Sequence, residues 1–168
     1  MHSFQEITSD IMEINPFKVI GQDWFLLTAE KDGKVNTMTA AWGGLGVMWG
    51  KNVAYVVVRD SRYTKEFIDG AERFSMTFLD EKYKSAMKYL GAVSGRDEDK
   101  INNARLHVDY DHGVPFIDEG NMALICRKMF MAPMKPEDFI DDTIDGQWYS
   151  TKDYHNMYIA EIEHFLAR

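Results

Sequence analysis

The chain has 168 residues, 45% hydrophobic and 27% charged, a globular balance sized for one domain with a real core. Its 27 acidic against 19 basic side chains give a net charge of -8, which disfavours nucleic acid and anionic membrane as partners but leaves room for a small phosphate ligand held by a few converging donors. Cys126 is the single cysteine, which excludes an internal disulfide; no apolar run is long enough to span a bilayer and residues 1–11 lack the apolar stretch of a secretory leader, so a cytoplasmic setting is expected.

No repeat, low-complexity tract or linker divides the sequence, and a single domain over 1–168 is expected. Residues 23–30 read as a strand, Lys31-Asp32-Gly33-Lys34 carries the Asp-Gly signal of a hairpin turn, and 35–42 form the returning strand. Gly43, Gly44 and Gly46 are expected to break that strand into a loop. Residues 53–59, with Val56, Val57 and Val58 in a row, have the composition of a buried strand. The pattern turns helical over 61–70, with hydroxyls at the start, Phe67 and Ile68 inward and Gly70 near the end. Residues 73–79 alternate as a strand with Phe74, Met76 and Phe78 on one face. Helices are expected over 81–90, closed by Gly91, and over 99–106. Residues 107–110, 122–131 and 156–165 read as extended, with a short edge strand at 114–117 around Pro115. Antiparallel neighbours dominate and the strand–helix–strand rhythm of a doubly wound sheet is missing, so about seven strands in a mostly β or α+β, barrel-like domain are expected.

Three segments carry candidate chemistry. Arg59-Asp60-Ser61-Arg62-Tyr63-Thr64 falls where the valine strand hands over to a helix, placing unpaired N–H groups and the positive end of the helix dipole beside two hydroxyls and two guanidinium groups. These are the parts of a phosphate cradle; they are equally the parts of a helix cap beside surface arginines paired with Asp60 or Glu66. In Asn36-Thr37-Met38-Thr39-Ala40-Ala41-Trp42-Gly43-Gly44, small residues let a flat ring lie on the strand, and backbone groups leaving the ladder can meet the ring's polar edge. An ordinary strand ending in a core tryptophan is the plainer reading. Ser94-Gly95-Arg96-Asp97-Glu98-Asp99-Lys100 offers Arg96 and Lys100 to an anion, or is a solvated charged loop.

Other signals fail on spacing. Leu45 stands where the first glycine of a phosphate loop ending at Gly50-Lys51 belongs, and Trp49 replaces the third glycine of a dinucleotide fingerprint starting at Gly44. Residues 141–146 make a poor calcium loop, with Thr143 at the third position and Lys152 in place of the bidentate glutamate. His107, Asp109 and Asp111, with His112 next, are explained more simply as a polar strand face than as a metal site. Cys126 lies in an apolar strand as a packing group; His155 opens the last strand, as a structural histidine or facing a ligand edge or subunit interface.

The three segments, in this order and spacing, together with the tail from Tyr154 through His155 to Glu163, resemble the flavin reductase-like family of FMN-binding split barrels, and especially its flavoredoxin-like branch. The resemblance implies an FMN-binding split β-barrel with a few inserted helices, assembled as a homodimer with FMN near the subunit interface. Matched position by position, Thr37, Met38, Thr39, Ala40, Ala41 and Trp42 would line the ring. Arg59, Ser61, Arg62, Tyr63 and Thr64 would hold the phosphate and ribityl chain, helped by Lys100, while Ser94, Gly95, Arg96 and Asp97 would shape the loop over the site. Asp60 stands where many relatives have proline, so its carboxylate has to point outward or pair with Arg62. The implied activity is that of an oxidoreductase fed by NADH or NADPH, in which the cofactor performs the redox chemistry and no catalytic acid, base or nucleophile is nominated. The alternatives are a carrier that keeps its FMN and takes electrons from a redox partner protein, and a non-redox binding domain that has lost flavin.

Overall fold

The structure is a computed structural model that describes residues 2–168. Among these, in chain order, are β1 (Gln5–Ile7), α1 (Pro16–Gly21), β2 (Phe25–Lys31), β3 (Lys34–Ala40), β4 (Gly43–Met48), β5 (Lys51–Arg59) and α2 (Tyr63–Gly70). Then come β6 (Arg73–Phe78), α3 (Lys84–Ala92), α4 (Lys100–Asn103), β7 (Val108–Asp111), β8 (Val114–Ile117), β9 (Met122–Pro133), α5 (Thr143–Trp148) and β10 (His155–Ala167). The class is mostly β, with 43% of residues in strands and 25% in helices. The β2–β3 hairpin turns at Asp32 and Gly33 as their sequence predicts, both with positive φ (51° and 74°).

The main sheet is antiparallel throughout, in the order β3-β2-β6-β9-β10-β5-β4, with β1 added on β10; β7 and β8 form a separate ladder. The two outermost strands, β3 and β4, are neighbours in sequence, joined by Ala41 and Trp42 alone. A twisted sheet whose edges are tied by so short a link has to curl until those edges nearly meet, which makes it a barrel. The barrel stays split. Among the described residues β3 pairs only with β2, and β4 begins opposite Val56, so the outer edges of β3 and of Val57, Val58 and Arg59 have no strand beside them.

Phe25, Leu27, Val56, Val58, Phe74, Met76, Leu124 and Tyr158 fill the interior, and α2 adds Phe67 and Ile68. Burial of each such apolar side chain stabilises the fold by about 1.5–3 kcal/mol. Leu26 points to the opposite face of β2 and is buried as well, against Met87 and Leu90 of α3 and Ile117 of β8. Burial on both faces is why 25–29 reads as a continuous run with little alternation.

Several local expectations are corrected. Gly43, Gly44 and Gly46 belong to strand β4, not to a loop. A Cβ on Gly43 would lie 2.6 Å from the Tyr55 carbonyl oxygen and one on Gly44 2.3 Å from the Tyr55 ring, so glycine at these two positions permits close strand pairing. The helix expected over 99–106 is the short α4, capped by the Asp99 carboxylate and ended where Arg105 takes a left-handed backbone (φ 56°). The helix expected from residue 61 starts at Tyr63, with Arg62 as N-cap and no side-chain cap bond. Gly91 lies inside α3 and does not close it; the helix runs on to Ala92. The segments that became β1, α1 and α5 carry no periodic pattern and no sequence expectation.

Candidate functional site

At the split, a cavity of about 250 Å³ is walled by Met38, Thr39, Ala40, Ala41 and Trp42 on one side and by Val57 and Arg59 on the other, with Arg62, Trp148 and His155 around it. Its long walls are the two strand edges that lack neighbours, so backbone N–H and C=O groups without ladder partners border a largely apolar space. Thr37 is not on this wall. Its hydroxyl pairs with Thr28 (2.8 Å) and donates to the Leu27 carbonyl (3.2 Å) inside the sheet. Thr39 borders the cavity but spends its hydroxyl on the Met87 carbonyl of α3 (2.5 Å).

Trp42 closes the cavity between two rings, with Trp148 edge-on at 5.1 Å and His155 tilted at 4.9 Å. His155 Nδ1 shares a hydrogen bond with the Tyr149 hydroxyl (2.7 Å). Burial, with the Arg59 charge adding to it, lowers the His155 pKa to about 4, so the imidazole is neutral near pH 7.

Next to this cavity, and sharing Arg62 with it, lies a smaller one of about 200 Å³ bordered by Ser61, Tyr63, Val93, Ser94 and Lys100. Arg62 Nη1 donates to the Gly91 carbonyl (3.0 Å), and Lys100 Nζ donates to those of Leu90 (3.0 Å) and Val93 (3.2 Å). Both cations therefore sit on the C-terminal carbonyls of α3. Neither forms an ion pair with a carboxylate among the described residues. The negative end of a helix is worth about half a charge, too little to balance two cations. Burial, reinforced by the neighbouring Arg62 charge, lowers the Lys100 pKa to about 8, and burial lowers that of Arg62 too. The carboxylates of Asp153 and Glu98 act on Arg62 and Lys100 only from a distance.

Ser61, Tyr63 and Ser94 thus meet Arg62 and Lys100 at this smaller cavity, as expected, whereas Arg59, Thr64, Gly95, Arg96 and Asp97 do not line it. Arg59 donates through Nη1 to the Asp153 carbonyl (2.7 Å) and through Nη2 to that of Trp148 (3.1 Å), and its guanidinium lies over the Tyr149 ring. Ser61 gives its N–H (3.1 Å) and its hydroxyl to the Asp153 carboxylate. Thr64 is buried, its Oγ1 accepting from Asn36 Nδ2 (2.9 Å). Tyr63 offers its ring to the Lys34 ammonium and the Arg96 guanidinium, while Arg96 pairs with Glu66 on the surface (2.5 Å). Ser94 and Asp97 form a turn, Asp97 N–H to the Ser94 carbonyl (3.1 Å), and Gly95 lies so close to Asn36 that a Cβ would meet its Oδ1 at 2.3 Å. Asp60 points outward, accepting from Asn156 Nδ2 (2.8 Å) and standing 3.9 Å from Lys65; it does not pair with Arg62.

Sequence reasoning missed Trp148 and Asp153, because residues 143–154 carry neither period nor motif; the aromatic cluster of Trp148, Tyr149 and Tyr154 was the one available signal. A second cavity of about 490 Å³ shares Ala41, Trp42 and Val57 with the first and runs along Phe17, Tyr55, Met134 and Met157. Elsewhere, His107 pairs with Glu119, whereas Asp111 and His112 come together with His164. The Asp141 carboxylate caps Thr143 through its N–H (3.0 Å) and hydroxyl (2.6 Å). Cys126 is fully buried and burial pushes its thiol pKa far up.

A curled antiparallel sheet left open along one seam, with a largely apolar cavity in the seam and the cations of Arg62 and Lys100 at its end, defines a split-barrel binding protein. The chain belongs to the flavin reductase-like family: the model of the flavin reductase like domain matches residues 19–168. No curated protein matches the sequence. Among solved structures, it is similar to an FMN-binding domain of a flavin reductase-like enzyme from Shewanella baltica OS155, at 19% identity and a TM-score of 0.71 over 98% of this chain and 77% of that one. It is similar to the flavoredoxin of Methanosarcina acetivorans at 25% identity and a TM-score of 0.67, over 87% and 68% of the two chains. It also resembles the NADH:FAD oxidoreductase of Streptomyces globisporus C-1027 at 12% identity and a TM-score of 0.66, over 87% and 75%.

Proposed function

We propose that this chain is a single-domain FMN-binding oxidoreductase that takes its electrons from NADH or NADPH. The observation that carries the reading is the Arg62–Lys100 pair: a half-buried and a buried cation, neither in direct contact with a carboxylate among the described residues, at the end of a largely apolar cavity. The donor set fits FMN on both counts. In the seam Met38–Trp42 and Val57 would flank a tricycle, with backbone groups lacking ladder partners near its polar edge, and Arg62, Lys100 and Ser94 would hold a phosphate beyond it. Bound there, a flavin supplies hydride acceptance and onward electron transfer.

The chain's own part is placement and dryness. Trp42 and Trp148 line the seam edge-on to each other, and His155 stays neutral, adding no charge beside the ring. The larger cavity beyond Trp42 is apolar enough for a nicotinamide to lie against the same seam. Exposed Trp49 and Phe130 lie against each other, ring centroids 6.3 Å apart, an apolar patch on the surface that supports a homodimer. A cytoplasmic setting belongs to the same reading, in keeping with one unpaired, buried thiol.

The test is an absorbance spectrum of the purified protein, followed by anaerobic NADH and then NADPH. Flavin bands that bleach rapidly with either nucleotide support the reductase. The likeness to a flavoredoxin favours a second reading, an electron carrier with permanent FMN. Bleaching only through a donor protein selects it. A colourless protein that ignores added FMN overturns both and leaves a non-redox binding domain.

A further inference from the structure

Residues 148–154 form a strap beside the ring cavity. It is tied to Asp145 of α5 by Tyr154 Oη (2.5 Å) and Lys152 (2.7 Å), and internally by the stacked rings of Tyr149 and Tyr154 (4.8 Å). It is fastened to the barrel at the mouth of the site: Arg59 holds two of its carbonyls, and Asp153 reaches the strand-to-helix junction. There its carboxylate accepts both the backbone N–H and the hydroxyl of Ser61. Ser61 also borders the small cavity of Arg62 and Lys100. The donors that an incoming phosphate would use beside the two cations are therefore already filled by an anion of the chain itself.

We propose that Asp153 is a resident anion competing with the flavin's phosphate for Ser61, and so sets how strongly this site prefers phosphorylated over unphosphorylated flavin. The inference rests on the flavin reading above. Two donors cannot serve two anions at once, and two anions held on one residue repel each other within a Debye length. Phosphate that enters fully displaces Asp153 from Ser61 and loosens the strap beside Trp148. Riboflavin, lacking the phosphate, leaves the Asp153–Ser61 contact in place.

The experiment measures dissociation constants for FMN and riboflavin on the full chain freed of co-purified flavin, in the wild type and in Asp153→Asn and Asp153→Ala. Asparagine keeps the size of the side chain and an acceptor for the Ser61 N–H while removing the charge, so the strap stays fastened. In both variants FMN is expected to bind at least fivefold more tightly and riboflavin to stay within twofold. A ratio of the riboflavin constant to the FMN constant that is unchanged or smaller in Asp153→Asn, with its melting temperature preserved, overturns the inference while leaving the flavin reading intact. Equal loss of both flavins in Asp153→Asn also overturns it, since the carboxylate then only holds the strap. A wild type that binds neither flavin overturns the flavin reading, and the inference with it.

Discussion

Trp42 and His155 face each other across the seam of the barrel, ring centroids 4.9 Å apart and planes inclined by 39°. Trp42 belongs to the two-residue link between the sheet's edges, and His155 opens β10, whose partner at that position is Arg59. The imidazole is thus enclosed by an indole, the Tyr149 hydroxyl and a fixed guanidinium, surroundings that disfavour its charged form.

This enclosure makes the fold sensitive to acid. Folded His155 takes its proton near pH 4, whereas the unfolded residue takes it near the ordinary 6.5. The unfolded chain therefore binds the proton first as pH falls. The stabilisation is complete above 6.5 and drains away from 6.5 towards 4, up to about 3 kcal/mol in all. Urea denaturation of the wild type at pH 7 and pH 4.5 is expected to show this loss, and His155→Gln should show a smaller difference between the two pH values. Equal differences in the two proteins would refute the assignment.

The Arg62–Lys100 pair makes a sharper test of phosphate binding than Arg59 does, because Arg59 already spends its donors on the strap. Charge-assisted hydrogen bonds are worth about 1.5–3 kcal/mol each. Arg62→Ala is expected to weaken FMN by about 10- to 100-fold and riboflavin by less than threefold. Titration by quenching of flavin fluorescence measures both, and equal losses would place the phosphate elsewhere.

What was legible in the sequence follows from which physics is local. The β2–β3 hairpin, the valine strand and the α2 helix are written in neighbouring residues: Asp32-Gly33 for the turn, Val56 to Val58 for burial, Phe67 and Ile68 for the inward face. The seam was not legible, because it depends on which distant strands pair. Gly43 and Gly44 look like a loop until Tyr55 is placed beside them. Arg59 and Arg62 look alike in sequence; only the fold sends one to the strap and the other to the end of α3. Asp153 and Trp148 lie in a segment without period, and they gain meaning only where Ser61 and Trp42 come to meet them.

The glycines of β4 separate two kinds of requirement. A methyl group on Gly43 would meet the backbone oxygen of Tyr55 at 2.6 Å, and a ladder strand cannot step aside without losing its bonds. One on Gly46 meets nothing within 4 Å. Gly43→Ala is expected to destabilise the protein by roughly 1–3 kcal/mol, lowering the melting temperature by about 3–10 °C. Gly46→Ala should leave it within about 2 °C or raise it slightly, since alanine loses less entropy on folding. Differential scanning calorimetry of the pair checks this; similar melting temperatures would mean that β4 does not lie on β5 at Gly43.

Lys100 gives the site a pH signature of its own. In the free protein burial, aided by Arg62, lowers its pKa from 10.5 to about 8. A phosphate dianion beside the ammonium favours the charged form and moves the pKa back up. Between the two values, binding of FMN has to bring a proton with it. Raising the pH through 8 removes that proton from the free protein before it removes it from the complex, so affinity falls, by as much as tenfold per pH unit. FMN binding is expected to change little from pH 6.5 to 7.5 and to weaken about tenfold between pH 8 and 9.5, while riboflavin binding stays flat. Lys100→Met keeps most of the buried stem without the charge, and should bind FMN more weakly but with no slope in that window. Calorimetric titration in two buffers of different ionisation enthalpy supplies the independent measure: proton uptake near pH 8.5 with FMN, none with riboflavin. A flat FMN profile in the wild type would show that Lys100 does not face the phosphate.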